Sequence, residues 1–216
     1  MAMEKHETDE GTLCFDGRKC IHSRNCVLSR PDVFVPNVEG EWIHPERATT
    51  DELHTLADNC PSGAIQFIEH GKGVRKPLVN TLHIRENGPY ALKAEIQIDG
   101  EVELQTRLTL CRCGATRNPP YCDGSHTAAG FTATGEPAVQ GSEPLEQRDG
   151  PVKLSPIKDG PLMLEGNLEM CAGTGKTINR TREVFLCRCG ASKNKPYCDG
   201  SHQKIGFKSG EQGSLK

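Results

Sequence analysis

The residue types able to do chemistry are concentrated in one phrase that occurs twice. Leu110 to His126 reads LCRCGATRNPPYCDGSH, and Leu186 to His202 reads LCRCGASKNKPYCDGSH, at an offset of 76 residues. Each copy offers three thiols and one imidazole: Cys111, Cys113, Cys122 and His126, then Cys187, Cys189, Cys198 and His202. Such a donor set suits zinc or iron-sulfur centres. A structural zinc ion usually takes its cysteines as C-x2-4-C, whereas here a C-x-C pair is joined by one distant cysteine. A sulfide-bridged two-iron core can accept two thiolates on one iron and a Cys plus a His on the other. The spacing therefore favours a pair of [2Fe-2S] clusters, with a zinc-stabilised binding module as the alternative. The four-residue step from cysteine to histidine predicts that Cys122 to His126 opens a helix with both ligands on one face. Asp123 and Ser125 suit the turn into that helix, and Gly124 would allow a close backbone approach. Arg112, Arg117, Arg188, Lys193 and Lys195, with the helix N-terminus, would offset a negatively charged cluster.

At these residues the sequence resembles the CDGSH iron-sulfur domain family, with its pattern C-x-C-x2-(S/T)-x3-P-x-C-D-G-(S/A/T)-H. Thr116 and Ser192 fill the hydroxyl position, Pro120 and Pro196 the proline, and CDGSH is literal at 122–126 and 198–202. The resemblance is closest to the tandem subclass. Single-motif members form homodimers, which implies that the two copies pack here as a pseudo-two-fold dimer within one chain. One neutral imidazole among three thiolates should raise the reduction potential, in the direction taken further by Rieske centres. It should also make each cluster labile in acid, because protons compete with iron for the ring.

The elements that must position these ligands are short. Tyr90 to Ile98 and Glu101 to Leu110 alternate apolar and polar residues across an Asp99-Gly100 turn signal, and Leu162 to Met170 with Thr181 to Leu186 repeats the pattern. Phe131 and Phe207 lie five residues after each histidine, where they would anchor a returning strand. Gly88-Pro89 corresponds to Gly160-Pro161, and four extra residues in the second copy fall near Gly173 to Lys176, as a hairpin loop would absorb them. Gly135 to Pro151 reads as the join between copies and His70 to Pro77 as the boundary with a different N-terminal module. The expected fold class is α+β: β-rich CDGSH modules in tandem over 78–150 and 151–212, paired about a pseudo-two-fold, after an N-terminal ferredoxin-like α+β module over 10–72.

That module holds Cys20 and Cys26 in a C-x5-C spacing and Cys60 in Cys60-Pro61-Ser62-Gly63-Ala64-Ile65. It resembles a divergent mono-cluster ferredoxin domain, with Val33-Phe34 and Trp42-Ile43 as a strand pair and Thr50 to Asn59 as a helix. The position of the middle ferredoxin cysteine is taken by Ser23, beside His22. Three thiolates suit a [3Fe-4S] cluster, or a [4Fe-4S] cluster with a fourth ligand from elsewhere. Cys14 is expected to stay unligated and Cys171 to be an ordinary thiol. A module that has lost its cluster and serves for docking is the alternative.

Composition agrees with small metal-stabilised modules. Hydrophobic residues are 35% of the 216 and aromatics 5%, too few for one large core, while Gly 23 and Pro 14 point to many turns. Eleven cysteines could instead mean a disulfide framework. MAMEKHETDEGTLC shows neither a secretory signal nor a transit peptide, and no run has the length of a membrane span, so a cytoplasmic metalloprotein is expected. A net charge of -3 gives no pull toward nucleic acid or membrane. Ala172 to Thr177 mimics part of a phosphate loop, but Met170 stands where its first glycine is required. His6, His44, His54, His70 and His83 show no ligand spacing, and no catalytic site can be assembled, so an enzyme is not expected. The expectation is a monomer that transfers electrons or clusters, its partner a redox protein or an apo iron-sulfur acceptor. A redox or acid sensor working through cluster loss is the remaining alternative.

Overall fold

The computed structural model describes residues 3–98 and 105–210, and the chain divides into two compact units meeting at Arg75 and Lys76. The first unit is a three-stranded antiparallel sheet with helices. Strands β1 (Glu4–Glu7), β2 (Gly11–Phe15) and β3 (Ile65–Glu69) pair in the order β1-β2-β3, with α1 (Asn25–Ser29) and α2 (Thr50–Asn59) between β2 and β3. Helix α2 has the bounds its sequence predicts, because Thr49 and Glu52 form a reciprocal capping box. The expected strand pair is reduced to one bridge, Phe34 to Ile43. Leu13, Phe15, Phe34, Ile43, Leu53 and Phe67 form the core, which takes the odd positions of β2 and leaves Cys14 on the opposite face.

The second unit holds both repeats in one six-stranded sheet. In the first repeat β4 (Thr81–Ile84), β5 (Tyr90–Ile98) and β6 (Gln105–Leu110) are antiparallel neighbours; in the second, β7 (Pro151–Pro156), β8 (Leu162–Cys171) and β9 (Thr177–Leu186) repeat the arrangement. Each repeat also lends its first strand to the other. Strand β4 runs parallel to β8, and β7 parallel to β5, which closes the sheet into a barrel-like form. This exchange is the pseudo-two-fold pairing implied by the family resemblance. Leu82, Ile84, Leu92, Leu154, Leu164 and Met170, from both repeats, fill one core. The inserted residues of the second copy form the β8–β9 turn, whereas the Asp99-Gly100 turn lies outside the described residues.

Two local expectations are corrected. Phe131 and Phe207 anchor no returning strand; their rings stack on the Arg112 and Arg188 guanidinium groups at 5.7 and 5.8 Å. The helices after the motif, α3 (Ser125–Ala128) and α4 (Ser201–Lys204), are single turns that start after a left-handed glycine. Cys122 and Cys198 therefore precede the helix, and the Asp-Gly turn, not a shared helical face, brings each to its histidine.

Candidate metal centres

Each motif is a loop tied down by its backbone, its hydroxyl and its carboxylate. Strand β6 ends at Leu110, so Cys111 leaves the sheet with its N–H bonded to Pro120 O at 2.8 Å, and Cys122 is held by Thr109 O at 2.9 Å. The Thr116 hydroxyl donates to Tyr121 O at 2.8 Å and accepts the Asn118 N–H. Asp123 accepts the N–H groups of Arg117 and Ser125, both at 3.0 Å. Burial alone would raise its pKa, but the Ser125 and Arg117 hydrogen bonds outweigh that and hold it at about 2. Ser192 and Asp199 make the same bonds in the second copy, to Tyr197 O and from Lys193 and Ser201. The motif's hydroxyl and carboxylate are thus scaffold, shaping the loop that carries the cysteines. Gly124 serves through its left-handed φ of 84°, for there is open space where a side chain would stand.

Within each loop the four donors gather as two pairs. Cys111 Sγ lies 3.7 Å from Cys113 Sγ, and Cys122 Sγ lies 3.4 Å from His126 Nδ1; the second copy has Cys187 and Cys189 at 3.7 Å, Cys198 and His202 Nδ1 at 3.4 Å. Among the described residues no three donors converge on a single ion. Two pairs per loop is the donor arrangement a two-iron core needs. Backbone N–H groups point at the sulfurs: Gly114 to Cys111 at 3.3 Å, Ala115 to Cys113 and Gly124 to Cys122 at 3.4 Å. The shared hydrogen bond with Cys113 lowers the Cys111 pKa and raises that of Cys113, so the two thiols titrate as a pair. Burial pushes Cys122 up to about 11.

The two loops meet. Cys113 and Cys189 form an antiparallel backbone bridge. A Cβ on Gly114 would stand 2.8 Å from Cys189 O, and one on Gly190 2.5 Å from Cys113 O, so only glycine permits this approach. Tyr90, fully buried on β5 of the first repeat, donates to Cys187 O at 2.9 Å and Pro196 O at 3.0 Å in the second. This crossing contact was not foreseen from sequence. Its one trace there is that Tyr90 and Leu162, at equivalent positions, differ. Arg112 and Arg188 are only 1% and 2% exposed, so they are interior charges where the sequence suggested only nearby ones; Arg117 and Lys193 are exposed.

In the first unit Cys20, Cys26 and Cys60 line one cavity of about 630 Å³, together with Phe15, Trp42 and Ser23. The His22 N–H reaches Cys20 Sγ and the Ile65 N–H reaches Cys60 Sγ, both at 3.4 Å. Burial raises the thiol pKa of Cys20 and Cys26, and the neighbouring Cys60 adds to it. Cys14 and Cys171 are buried thiols on strands β2 and β8, and Cys14 does not line the cavity. Of the spare histidines, His54 is a core residue satisfied by Glu69 at 3.2 Å.

Comparison with known families agrees with this geometry. Residues 87–127 and 159–203 match the iron-binding zinc finger CDGSH type, and residues 9–70 match the divergent 4Fe-4S mono-cluster family. No curated protein and no solved structure matches the chain. The protein is thus an iron-sulfur protein of mixed α and β structure. It carries two CDGSH domains, the kind that bind [2Fe-2S] clusters, behind a divergent 4Fe-4S mono-cluster domain. Among the described residues no helix is long and apolar enough to cross a membrane.

Proposed function

We propose that the chain is an electron-transfer or cluster-transfer protein and has no catalytic site of its own. Cys111, Cys113, Cys122 and His126 would hold one [2Fe-2S] cluster and Cys187, Cys189, Cys198 and His202 the second. Cys20, Cys26 and Cys60 would hold the N-terminal cluster, with a fourth position open to a ligand other than cysteine. When bound, the clusters supply one-electron chemistry; the chain sets their potential, their access and their separation. The observation that carries this reading is the bridge between Cys113 and Cys189, which puts the two ligand loops in backbone contact and so favours electron exchange between them. His126 and His202 are partly exposed, which supports access for a redox protein or an apo acceptor.

Iron and acid-labile sulfide per chain, with low-temperature EPR after reduction, test the assignment. Equal iron and sulfide and a rhombic binuclear signal are expected; a colourless preparation containing zinc would overturn it. Electron uptake from a reductase, compared with cluster delivery to an apo acceptor, then separates the two activities.

A further inference from the structure

The two cluster loops share a backbone but not a surface charge. Where the first copy has Pro119, Ala128 and Ala129, the second has Lys195, Lys204 and Ile205, while Arg117 corresponds to Lys193. The exposed cation of the first loop is already matched, since Arg117 lies 3.6 Å from Asp123. In the second, Lys193 and Lys204 are exposed, and among the described residues neither has a carboxylate within ion-pair distance; Lys195 is half-buried, its Nζ donating to Ser192 O at 2.6 Å.

Asp199, the counterpart of Asp123, spends its two oxygens on backbone N–H groups, that of Lys193 at 2.8 Å and that of Ser201 at 3.0 Å. One carboxylate thus holds the segment bearing Lys193 against the helical turn that bears His202 and Lys204. Ile205, the next residue, is 54% exposed. Three lysines and one bare apolar side chain therefore accompany the partly exposed imidazole of the second loop, where the first offers two alanines and a proline.

We infer that this face is the docking surface for an acidic one-electron carrier protein, and that the second cluster, rather than the first, is the port through which electrons enter or leave. The inference rests on the electron-transfer reading proposed above. One electron passes between the carrier's reduced centre and the second cluster, the carrier being oxidised and the cluster reduced or the reverse, with no bond made or broken. The net charge of the chain is -3, so a negative partner is repelled from most approaches and a local group of cations decides which face it meets. A patch of this size suits the small, transient interfaces of electron carriers. Its lysines steer the encounter, and Ile205 supplies apolar contact. Three lysines fall short of the about four to eight basic residues by which anionic lipid surfaces are recognised.

Stopped-flow reduction of the cluster-loaded protein tests the port, with a plant-type [2Fe-2S] ferredoxin, reduced by dithionite and freed of it, as an acidic donor at about -400 mV. The second-order rate constant should be at least about tenfold higher at an ionic strength of about 10 mM than at about 300 mM. Lys193→Gln combined with Lys204→Gln should slow the reaction about tenfold at the lower ionic strength and leave it at the wild-type value at the higher. Salt screens steering, whereas a damaged fold or a shifted cluster potential would slow the reaction in both. Arg117→Gln, the matching change in the first loop, should alter the rate less than about twofold. Calorimetric titration with oxidised ferredoxin at low ionic strength reads binding with no electron to pass. Binding that needs the two lysines without any electron uptake sinks the electron-transfer reading and leaves the docking surface standing. A rate and an affinity indifferent to the double substitution, or an equal loss in Arg117→Gln, overturns the surface. So does lysine-dependent capture by phosphatidylserine-phosphatidylcholine vesicles with none by ferredoxin.

Discussion

A guanidinium placed between two cysteines and buried to within 2% of its surface is costly unless negative charge faces it, and the charges at hand are the sulfurs of both loops, with Glu86 near Arg112 and Asp159 near Arg188. Burial pulls the Arg112 and Arg188 pKa values down, while Tyr90, Cys187 and Glu86 pull that of Arg112 up and Cys111 and Asp159 that of Arg188. Each arginine therefore faces a candidate ligand of the opposite repeat. The histidines set the other half of the charge balance. His126→Cys exchanges a neutral imidazole for a thiolate, so it should lower the potential of the first cluster by on the order of 100 mV, read by EPR-monitored redox titration. An unshifted potential would mean that His126 is not a ligand. Gly190 allows a different test. Its φ of 80°, and a carbonyl only 2.5 Å from the point where a methyl would stand, leave no room for Gly190→Ala, which should cost about 2–4 kcal/mol in chemical denaturation. Because the obstructing carbonyl belongs to Cys113, this one change should also loosen iron retention in the first loop.

At the scale of elements, the hairpins were legible because alternation over Tyr90 to Ile98 reports burial of one face, and the GTGK turn punctuates the second of them. Helix α2 was legible because its cap is local. What could not be read was anything set by partners distant in sequence: β1 pairs with β2 through polar residues such as Lys5 and His6, and the β4–β8 and β5–β7 exchange has no local signature. The single-turn helices were overestimated because i,i+4 spacing fits an Asp-Gly turn as well as a helical face. The exchange seam gives a pH prediction. His83 on β4 faces Cys171 of β8 in the register, and burial, with Arg85 beside it, lowers its pKa below the ordinary 6.5. The unfolded chain then binds the extra proton first, so this residue contributes nothing above pH 6.5 and a growing penalty as pH falls below it. His83→Gln should remove that share of the acid sensitivity. The measurement is the denaturation midpoint of both proteins between about pH 5.5 and 7.5, and parallel curves would refute the assignment.

At the scale of the whole molecule, the two compact units have separate hydrophobic cores, and all candidate ligands of one cluster lie within one unit. Loss of a ligand in the first unit should therefore leave the centres of the second intact. Cys60 is the ligand to remove, because it is buried in the N-terminal core and both Cys20 and Cys26 respond to its charge. In Cys60→Ala the iron content should fall from about seven or eight per chain to about four, with a matching loss of sulfide. The rhombic binuclear signals should persist at full intensity, while the N-terminal signal disappears. Since a bound cluster contributes folding free energy where no preformed site survives unfolding, the first unit should also melt earlier and the second at its former temperature. If wild type and Cys60→Ala both carry about four irons, the N-terminal cavity holds no cluster; if the binuclear signals fall too, the units depend on each other for assembly.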